Sequence, residues 1–104
     1  LAEIELKRDT APFYMSIDNS AVKVCMDVYN AVTGEDAKPY TMGGGTYARD
    51  FPNGVSFGPE HPERSYPDFF GPIHGADEAA SIDEFMEALK IYILALIELE
   101  AVEF

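Results

Sequence analysis

The sequence predicts an α/β protein made of short strands, one amphipathic helix and a long C-terminal helix. Three patterns carry this prediction. Apolar and charged residues alternate over positions 2–7, which is typical of a half-buried strand. Apolar residues recur at helical spacing after Asn19 and again after Ser81, and both residues favour a helix N-cap. The 104 residues fit one small domain.

The first helix is expected to begin at Asn19 or Ser20 and to end before Gly34. Its apolar positions share one helix face: Val22, Cys25, Val28, Tyr29 and Val32. Gly34 is placed to end the helix because glycine readily adopts the left-handed conformation of a C′ residue. Since Cys25 is the only cysteine, no internal disulfide can form, and its position on this face predicts a buried thiol.

Two further short strands and a loop are expected between the helices. The first strand covers residues 37–42 and leads into three consecutive glycines, and the second covers residues 55–57. Residues 59–72 hold four prolines, which exclude a helix or a central strand and therefore predict a loop. His61 lies in this loop and is expected to be solvated.

The last helix is predicted from a capping box and a long apolar stripe. Ser81 and Glu84 have the spacing of the capping box, and the stripe follows them. Every residue from Ile91 to Ile97 is apolar, so nearly two turns have no polar face. Such a helix requires burial on several sides, and a chain of this length offers few elements to cover it. We therefore expect a covering neighbour from outside these residues, and self-association of the isolated chain.

The charge balance restricts the classes of partner. The chain has 7 Lys and Arg against 19 Asp and Glu, a net charge of -12. This excess repels phosphate backbones and anionic lipids, so neither nucleic acid nor a membrane surface is an expected partner. The longest apolar run is far shorter than the ~20 residues that span a bilayer. No basic region precedes an apolar run at the N-terminus, and a cytoplasmic location is expected.

Three places in the sequence could carry chemistry. The glycines before Thr46 allow a backbone to approach a ligand closely, although a tight turn explains them equally well. Arg49 follows them and could hold a carboxylate through two parallel hydrogen bonds, but the spacing alone favours a surface salt bridge. His74 precedes the last helix and could bind a metal, yet zinc takes about four ligands and one histidine does not make a site. No nucleophile motif is found, so no catalytic residue is assigned.

Taken together, several segments resemble the C-terminal end of the peptidase V-like dipeptidases, in the clan of zinc aminopeptidases, carboxypeptidases and aminoacylases. The segments are Thr41-Met42-Gly43-Gly44-Gly45-Thr46-Tyr47-Ala48-Arg49, Gly54-Val55-Ser56-Phe57-Gly58, His74 and the helix start Ser81-Ile82-Asp83-Glu84-Phe85. The resemblance covers nearly the whole chain, and the GGGTYAR run is its most specific part.

This resemblance implies a two-domain enzyme in which a lid domain is inserted into a catalytic α/β domain that holds two zinc ions. Residues 1–9 would be the last strand of the lid domain, and residues 10–18 the hinge. Residues 19–104 would be the C-terminal part of the catalytic domain. The last helix would then pack on a sheet supplied by the rest of that domain.

The resemblance also implies roles for individual residues. His74 would be a zinc ligand, and Arg49 would hold the C-terminal carboxylate of a dipeptide substrate. Gly44, Gly45 and Thr46 would line the same pocket. The family's other metal-holding groups are absent from these residues, so the chain would be a dipeptidase fragment that binds zinc weakly at most and is inactive alone. The alternative is a free-standing binding or interaction module on a peptidase-derived scaffold, which engages a protein through its acidic surface or its proline-rich loop.

Overall fold

The described residues contain three helical elements, and the first of them packs against the last. The computed structural model describes residues 2–7, 9–58, 61 and 65–103. In chain order, the elements are α1 over Ser20–Thr33, a 3₁₀ helix over Tyr47–Asp50, and α2 over Ile82–Glu100. The other described residues form turns and irregular segments.

The predicted α/β class is wrong, because the described residues contain helices and no strand or sheet. The strands expected at 37–42 and 55–57 are irregular. So is the described part of the strand expected at 1–9, of which Leu1 and Arg8 lie outside the described residues. The regular structure of the described residues is therefore all-helical.

The exposure of Ile4 and Leu6 gives the physical reason for this error. Ile4 is 93% exposed and Leu6 is 78% exposed, so the apolar side of the alternating pattern contacts no core. A strand is stabilised by pairing with a second strand and by burying one face. Neither occurs in the described residues, and the alternation alone does not produce a strand.

Both predicted ends of α1 are confirmed. The side chain of Asn19 caps the helix by accepting a hydrogen bond from the N–H of Ala21 at 2.9 Å. At the other end, Gly34 has a φ of 75°, and its N–H donates to the carbonyl oxygen of Asn30 at 2.9 Å. Glycine adopts this left-handed conformation without steric cost, so α1 ends where the sequence predicts.

The predicted start of α2 is also confirmed. Ser81 Oγ accepts a hydrogen bond from the N–H of Glu84 at 3.4 Å, which is one half of a capping box. Asp83 and Glu84 place negative charge in the first turn, where the helix dipole favours it. The carboxylate of Glu84 also accepts a hydrogen bond from the O–H of Tyr66 at 3.0 Å, which ties α2 to the preceding loop.

The core lies between α1 and α2 and is small. Its buried centre consists of Val28, Tyr29, Ile91 and Ala95. Val32, Ala37 and Phe57 pack against this centre and are partly buried. Cys25 is buried on α1 as predicted, and burial raises the pKa of its thiol because the thiolate is poorly solvated there.

Much of the apolar surface of α2 is uncovered. We call this surface the α2 apolar face; its exposed members are Ile82, Phe85, Met86, Leu89, Tyr92, Ile93, Leu94, Leu96 and Ile97. The accessible surface of the chain is 8893 Å², whereas a compact monomer of this mass exposes about 5,800 Å². The radius of gyration is 17.3 Å, against about 13 Å for a compact domain of this length. The chain is therefore far more open than an ordinary small domain.

Within the described part of the chain, no helix is both long enough and apolar enough to cross a membrane.

Candidate functional site

Thr46 organises the turn that follows the three glycines. It caps the 3₁₀ helix, and its Oγ1 accepts a hydrogen bond from the N–H of Ala48 at 3.0 Å. The same oxygen lies 2.7 Å from Oγ of Ser56, so the two hydroxyls share a hydrogen bond. Thr46 thereby fixes the backbone from which Arg49 projects, and it joins this backbone to a segment ten positions later.

The guanidinium of Arg49 lies directly over Gly45. A Cβ atom at Gly45 would be 2.8 Å from Cζ of Arg49 and 3.3 Å from one of its terminal nitrogens, so the flexible guanidinium would have to move aside. Glycine at this position therefore makes room for the guanidinium. Gly43 and Gly44 have no such neighbour, since a Cβ at either would have nothing within 4 Å.

Arg49 is exposed, and the ion pairs between described residues do not include it. The surface salt bridge that the spacing favoured is thus not formed within the described part of the chain. The guanidinium of Arg49 is therefore accessible to solvent beside the glycine turn. Its planar arrangement of N–H donors suits a carboxylate bound through two parallel hydrogen bonds.

A pocket adjoins this turn. It is a shallow surface depression that is largely open to solvent. Its lining residues come from the 3₁₀ helix and the segment after it: Thr46, Tyr47, Ala48, Phe51, Gly54, Val55, Ser56 and Phe57. Arg49 is not one of the lining residues, although its neighbour Ala48 is.

His74 lies at the tip of a separate, closed loop. The N–H of Gly75 donates to the carbonyl oxygen of Pro72 at 2.8 Å, which closes a tight turn around His74. At the base of the loop, the N–H of Gly71 donates to the carbonyl oxygen of Asp77 at 2.8 Å. The side chain of His74 is exposed, so the loop presents its imidazole to solvent.

The backbone of His74 adopts a conformation that is uncommon for a side-chain-bearing residue. Its φ is 62°, and its N–H donates to Oε2 of Glu78 at 3.1 Å, which helps to hold this conformation. Positive φ values at residues other than glycine cost free energy and cluster at functional sites. Asp77 in the same loop also has a positive φ, 59°, so both conformations belong to the tight turns that close the loop.

The described residues do not contain a complete metal site. They include no group of three or more His, Cys, Asp or Glu side chains arranged to hold an ion. His74 can supply one imidazole nitrogen, and zinc in a catalytic site takes three protein ligands and a water. Any further ligands would have to come from outside the described residues.

The structure thus groups the predicted site residues into two places. Gly45, Thr46 and Arg49 form one turn with direct contacts, and Gly44 precedes them without contacting the guanidinium. His74 lies on its own loop, and the hydrogen bonds of the described residues do not link it to that turn.

The expectation that His61 is solvated is wrong. Its side chain is only 3% exposed. Nδ1 lies 2.9 Å from the hydroxyl oxygen of Tyr29 and 3.1 Å from Oε1 of Glu35, and Nε2 lies 2.7 Å from Oε1 of Glu87. These partners are 26 to 32 positions away, so no local pattern could reveal them. We call these four residues the His61 cluster.

The hydrogen bonds of the His61 cluster hold separate parts of the fold together. The O–H of Tyr29 donates to Oε2 of Glu35 at 3.0 Å, and each carboxylate faces a different nitrogen of the His61 ring. Two nitrogens on opposite sides of one imidazole cannot bind the same ion, which excludes a shared metal held through both. The cluster instead joins α1, α2 and the loop between them.

The chain is similar in sequence to proteins named as dipeptidases. The protein of Bacillus subtilis (strain 168) named "Putative dipeptidase YtjP" is 38% identical over 92 residues, or 88% of this chain. "Putative dipeptidase SSP1012" of Staphylococcus saprophyticus is 33% identical over 96 residues, or 92% of this chain. "Putative dipeptidase SH1171" of Staphylococcus haemolyticus is 30% identical over 97 residues. All three names say dipeptidase.

These dipeptidase relatives are much longer than the chain. The matched regions are 19%, 19% and 20% of their lengths, so the chain spans about one fifth of each. No family model matches the chain, and no solved structure matches it. The similarity therefore relates the chain to one portion of a dipeptidase.

Proposed function

We propose that the chain is the C-terminal portion of a zinc-dependent, peptidase V-like dipeptidase and that it is inactive without the rest of that enzyme. The observation that carries this proposal is the similarity to dipeptidases over 88% of the chain but only 19% of the relative. In the intact protein, the reaction would be hydrolysis of the peptide bond of a dipeptide. A cytoplasmic location is part of the same proposal.

Arg49 is proposed to hold the C-terminal carboxylate of the dipeptide. Its support is the exposed guanidinium that lies over Gly45 in the turn after the glycine run. Bidentate binding of a carboxylate by arginine fixes its direction as well as its position. Gly44, Gly45 and Thr46 would line the substrate pocket of the intact enzyme next to Arg49.

His74 is proposed to supply one zinc ligand through its imidazole. Its support is an exposed side chain on a loop closed at its tip and at its base. When bound, zinc would activate a water molecule and polarise the scissile carbonyl group. In this proposal, the His74 imidazole would occupy one coordination position of the zinc ion, and its loop would fix the orientation of the ring. The other ligands would come from the remaining polypeptide.

The open shape of the chain supports a fragment rather than the alternative of a free-standing module. The excess of exposed surface, 8893 Å² against the roughly 5,800 Å² of a compact monomer, leaves the α2 apolar face without a cover. We propose that the rest of the catalytic and lid domains provides it. The division at residues 1–9, 10–18 and 19–104 remains a prediction.

The upstream coding sequence offers a simple test of the fragment proposal. We expect the reading frame before Leu1 to encode an H-x-D segment and a Glu-Glu pair, which are the metal-holding groups that the resemblance implies. A frame that starts at or just before Leu1 would instead favour the free-standing module.

A chimeric enzyme tests the proposed activity. In the YtjP chimera, the matched segment of the Bacillus subtilis protein is replaced by this chain, and hydrolysis of free and C-terminally amidated dipeptides is measured beside the parent. We expect hydrolysis of the free dipeptide, and Arg49→Ala should raise its KM by about tenfold to a hundredfold, since charge-assisted hydrogen bonds are lost. Amidated dipeptides should bind weakly to both forms.

Lys38→Ala is the matched control for Arg49→Ala, because Lys38 is an exposed cation paired only with its neighbour Asp36 among the described ion pairs. The KM of the chimera that carries Lys38→Ala should equal that of the unsubstituted chimera. A folded chimera that lacks activity while the parent is active would count against the proposal. An unchanged KM in Arg49→Ala would remove the assigned role of Arg49.

A further inference from the structure

Phe57 and Tyr92 form the first of three contacts that a single stretch of chain makes with α2. Their rings meet edge to face, with centroids 5.9 Å apart, and the O–H of Tyr92 donates to the carbonyl oxygen of Phe57 at 3.3 Å. Phe57 follows Ser56, which shares a hydrogen bond with Thr46. The turn that carries Arg49 is therefore joined to α2 through this contact.

The next two contacts lie further along the chain and nearer the start of α2. Nε2 of His61 lies 2.7 Å from Oε1 of Glu87, and the O–H of Tyr66 donates to Oε2 of Glu84 at 3.0 Å. The Tyr66 ring then stacks on Phe70 with centroids 5.4 Å apart. Phe70 precedes the loop that presents His74.

The order of these contacts gives the direction of the stretch. Phe57, His61 and Tyr66 follow one another towards the C-terminus. Their partners on α2 follow in the opposite order: Tyr92, Glu87 and Glu84. The three contacting residues therefore follow α2 in antiparallel order, from position 92 to position 84 of the helix, which corresponds to roughly 12 Å of helix axis. The Arg49 turn is joined to one end of this stretch and the His74 loop to the other.

His61 is the buried member of the three, and its ring nitrogens contact residues of both helices. Its Nδ1 reaches Tyr29 on α1 and Glu35 just beyond it, while its Nε2 reaches Glu87 on α2. The side chain is 3% exposed, so water does not compete for these hydrogen bonds.

We propose that His61 is a positioning residue that sets the separation between the Arg49 turn and the His74 loop. This inference rests on the proposed function for its meaning, because that separation would be the spacing between the carboxylate grip and the metal ligand. His61 itself touches neither substrate nor metal in this proposal. It acts by pinning the stretch between the two groups to α1 and α2.

The experiment measures the separation directly in the 104-residue chain. Spin labels are attached through Tyr47→Cys and Ile73→Cys in a Cys25→Ala background, and the distance distribution is recorded by pulsed electron resonance. His61→Ala and Glu87→Ala should broaden the distribution by several ångströms, because the stretch then behaves as a flexible linker. Helix content is followed by circular dichroism in every variant.

Two matched variants separate positioning from general destabilisation. Glu87→Gln keeps an oxygen that can accept a hydrogen bond from Nε2, so it should restore the narrow distribution. Glu98→Ala removes a carboxylate from the same helix outside the three contacts, and it should leave the distribution narrow. Equal broadening in Glu98→Ala would overturn the proposal.

An unchanged distribution in a helical His61→Ala variant would also overturn the proposal. If the His61→Ala variant loses its helices, Glu87→Ala is used instead, because Glu87 is partly exposed. An unchanged distance distribution in a helical Glu87→Ala variant would also overturn the proposal. The measurement involves no substrate and no metal. It can therefore fail while the dipeptidase proposal stands, and the dipeptidase proposal can fail while it succeeds.

Discussion

The Nε2 atom of His61 lies 2.7 Å from Oε1 of Glu87, which joins a loop between two prolines to the second turn of α2. On the opposite edge of the ring, Nδ1 contacts the hydroxyl of Tyr29. Buried polar groups of this kind are costly to leave unpaired, because the low-polarity interior offers no water in exchange. The stability of the chain should therefore depend on the complete cluster.

Tyr29→Phe should destabilise the chain by about 1–3 kcal/mol, the usual cost of leaving buried polar partners without a hydrogen bond. The phenylalanine ring keeps the packing of Tyr29 but removes the O–H that donates to Glu35 and the oxygen that faces His61. Urea unfolding measures the change. Tyr40→Phe is the control, since Tyr40 is 66% exposed and should change stability little; equal losses in both would contradict the account.

Gly45→Ala should weaken substrate binding in the YtjP chimera. The added Cβ would collide with the guanidinium of Arg49 and displace it. We expect KM for free dipeptides to rise by about tenfold, which corresponds to the loss of one charge-assisted hydrogen bond. Gly43→Ala is the matched control because a Cβ there meets nothing within 4 Å. A KM that rises equally in both variants would contradict the assigned role of Gly45.

Alkaline pH should reduce the stability of the chain through Cys25. Burial raises the pKa of this thiol in the folded state, so the unfolded chain ionises first as pH rises. The stability from the neutral buried thiol is complete below the unfolded pKa of about 8.5 and is lost as pH rises through the folded pKa. Unfolding free energies measured above and below that pH should diverge between wild type and Cys25→Ala. Parallel curves would be the contrary result.

The α2 apolar face should cause self-association of the isolated chain. Leu96 is 69% exposed within this face, and large contiguous apolar patches promote association. Leu96→Glu should shift the chain toward a monomer in light scattering after gel filtration. Asn53→Glu adds the same charge in an exposed turn and should leave association unchanged. A wild-type chain that is monomeric at all concentrations tested would contradict this prediction.

The two helices could be predicted from the sequence because their determinants are local. Asn19 and Gly34 bound α1, and Ser81 begins α2, all within a few residues of the groups they cap. The prediction of strands was wrong, because an alternating pattern such as that at residues 2–7 forms a strand only when a partner strand pairs with it. The sequence contains the alternation, but the described residues supply no such partner.

The residues of the candidate site were predicted from a motif and from their neighbours in the sequence. Arg49 was singled out because it follows the glycine run, and the structure adds that its guanidinium lies over Gly45. His74 was singled out as a possible metal ligand, and the resemblance implied its role; its left-handed backbone conformation has no signal in the spacing. His61 was missed because its burial depends on Tyr29, Glu35 and Glu87, which only the packing of α1 and α2 brings together.

The central claim is that His74 supplies one ligand of a zinc site completed by the rest of a dipeptidase. The most direct measurement is the zinc content of the purified YtjP chimera by mass spectrometry, with and without His74→Ala, beside its rate of dipeptide hydrolysis. Ile73→Ala, at an exposed neighbour in the same loop, is the control. We predict that His74→Ala lowers bound zinc and lowers kcat by about a hundredfold or more, while Ile73→Ala retains both. Zinc content and kcat that stay at the chimera's values in His74→Ala would contradict the account.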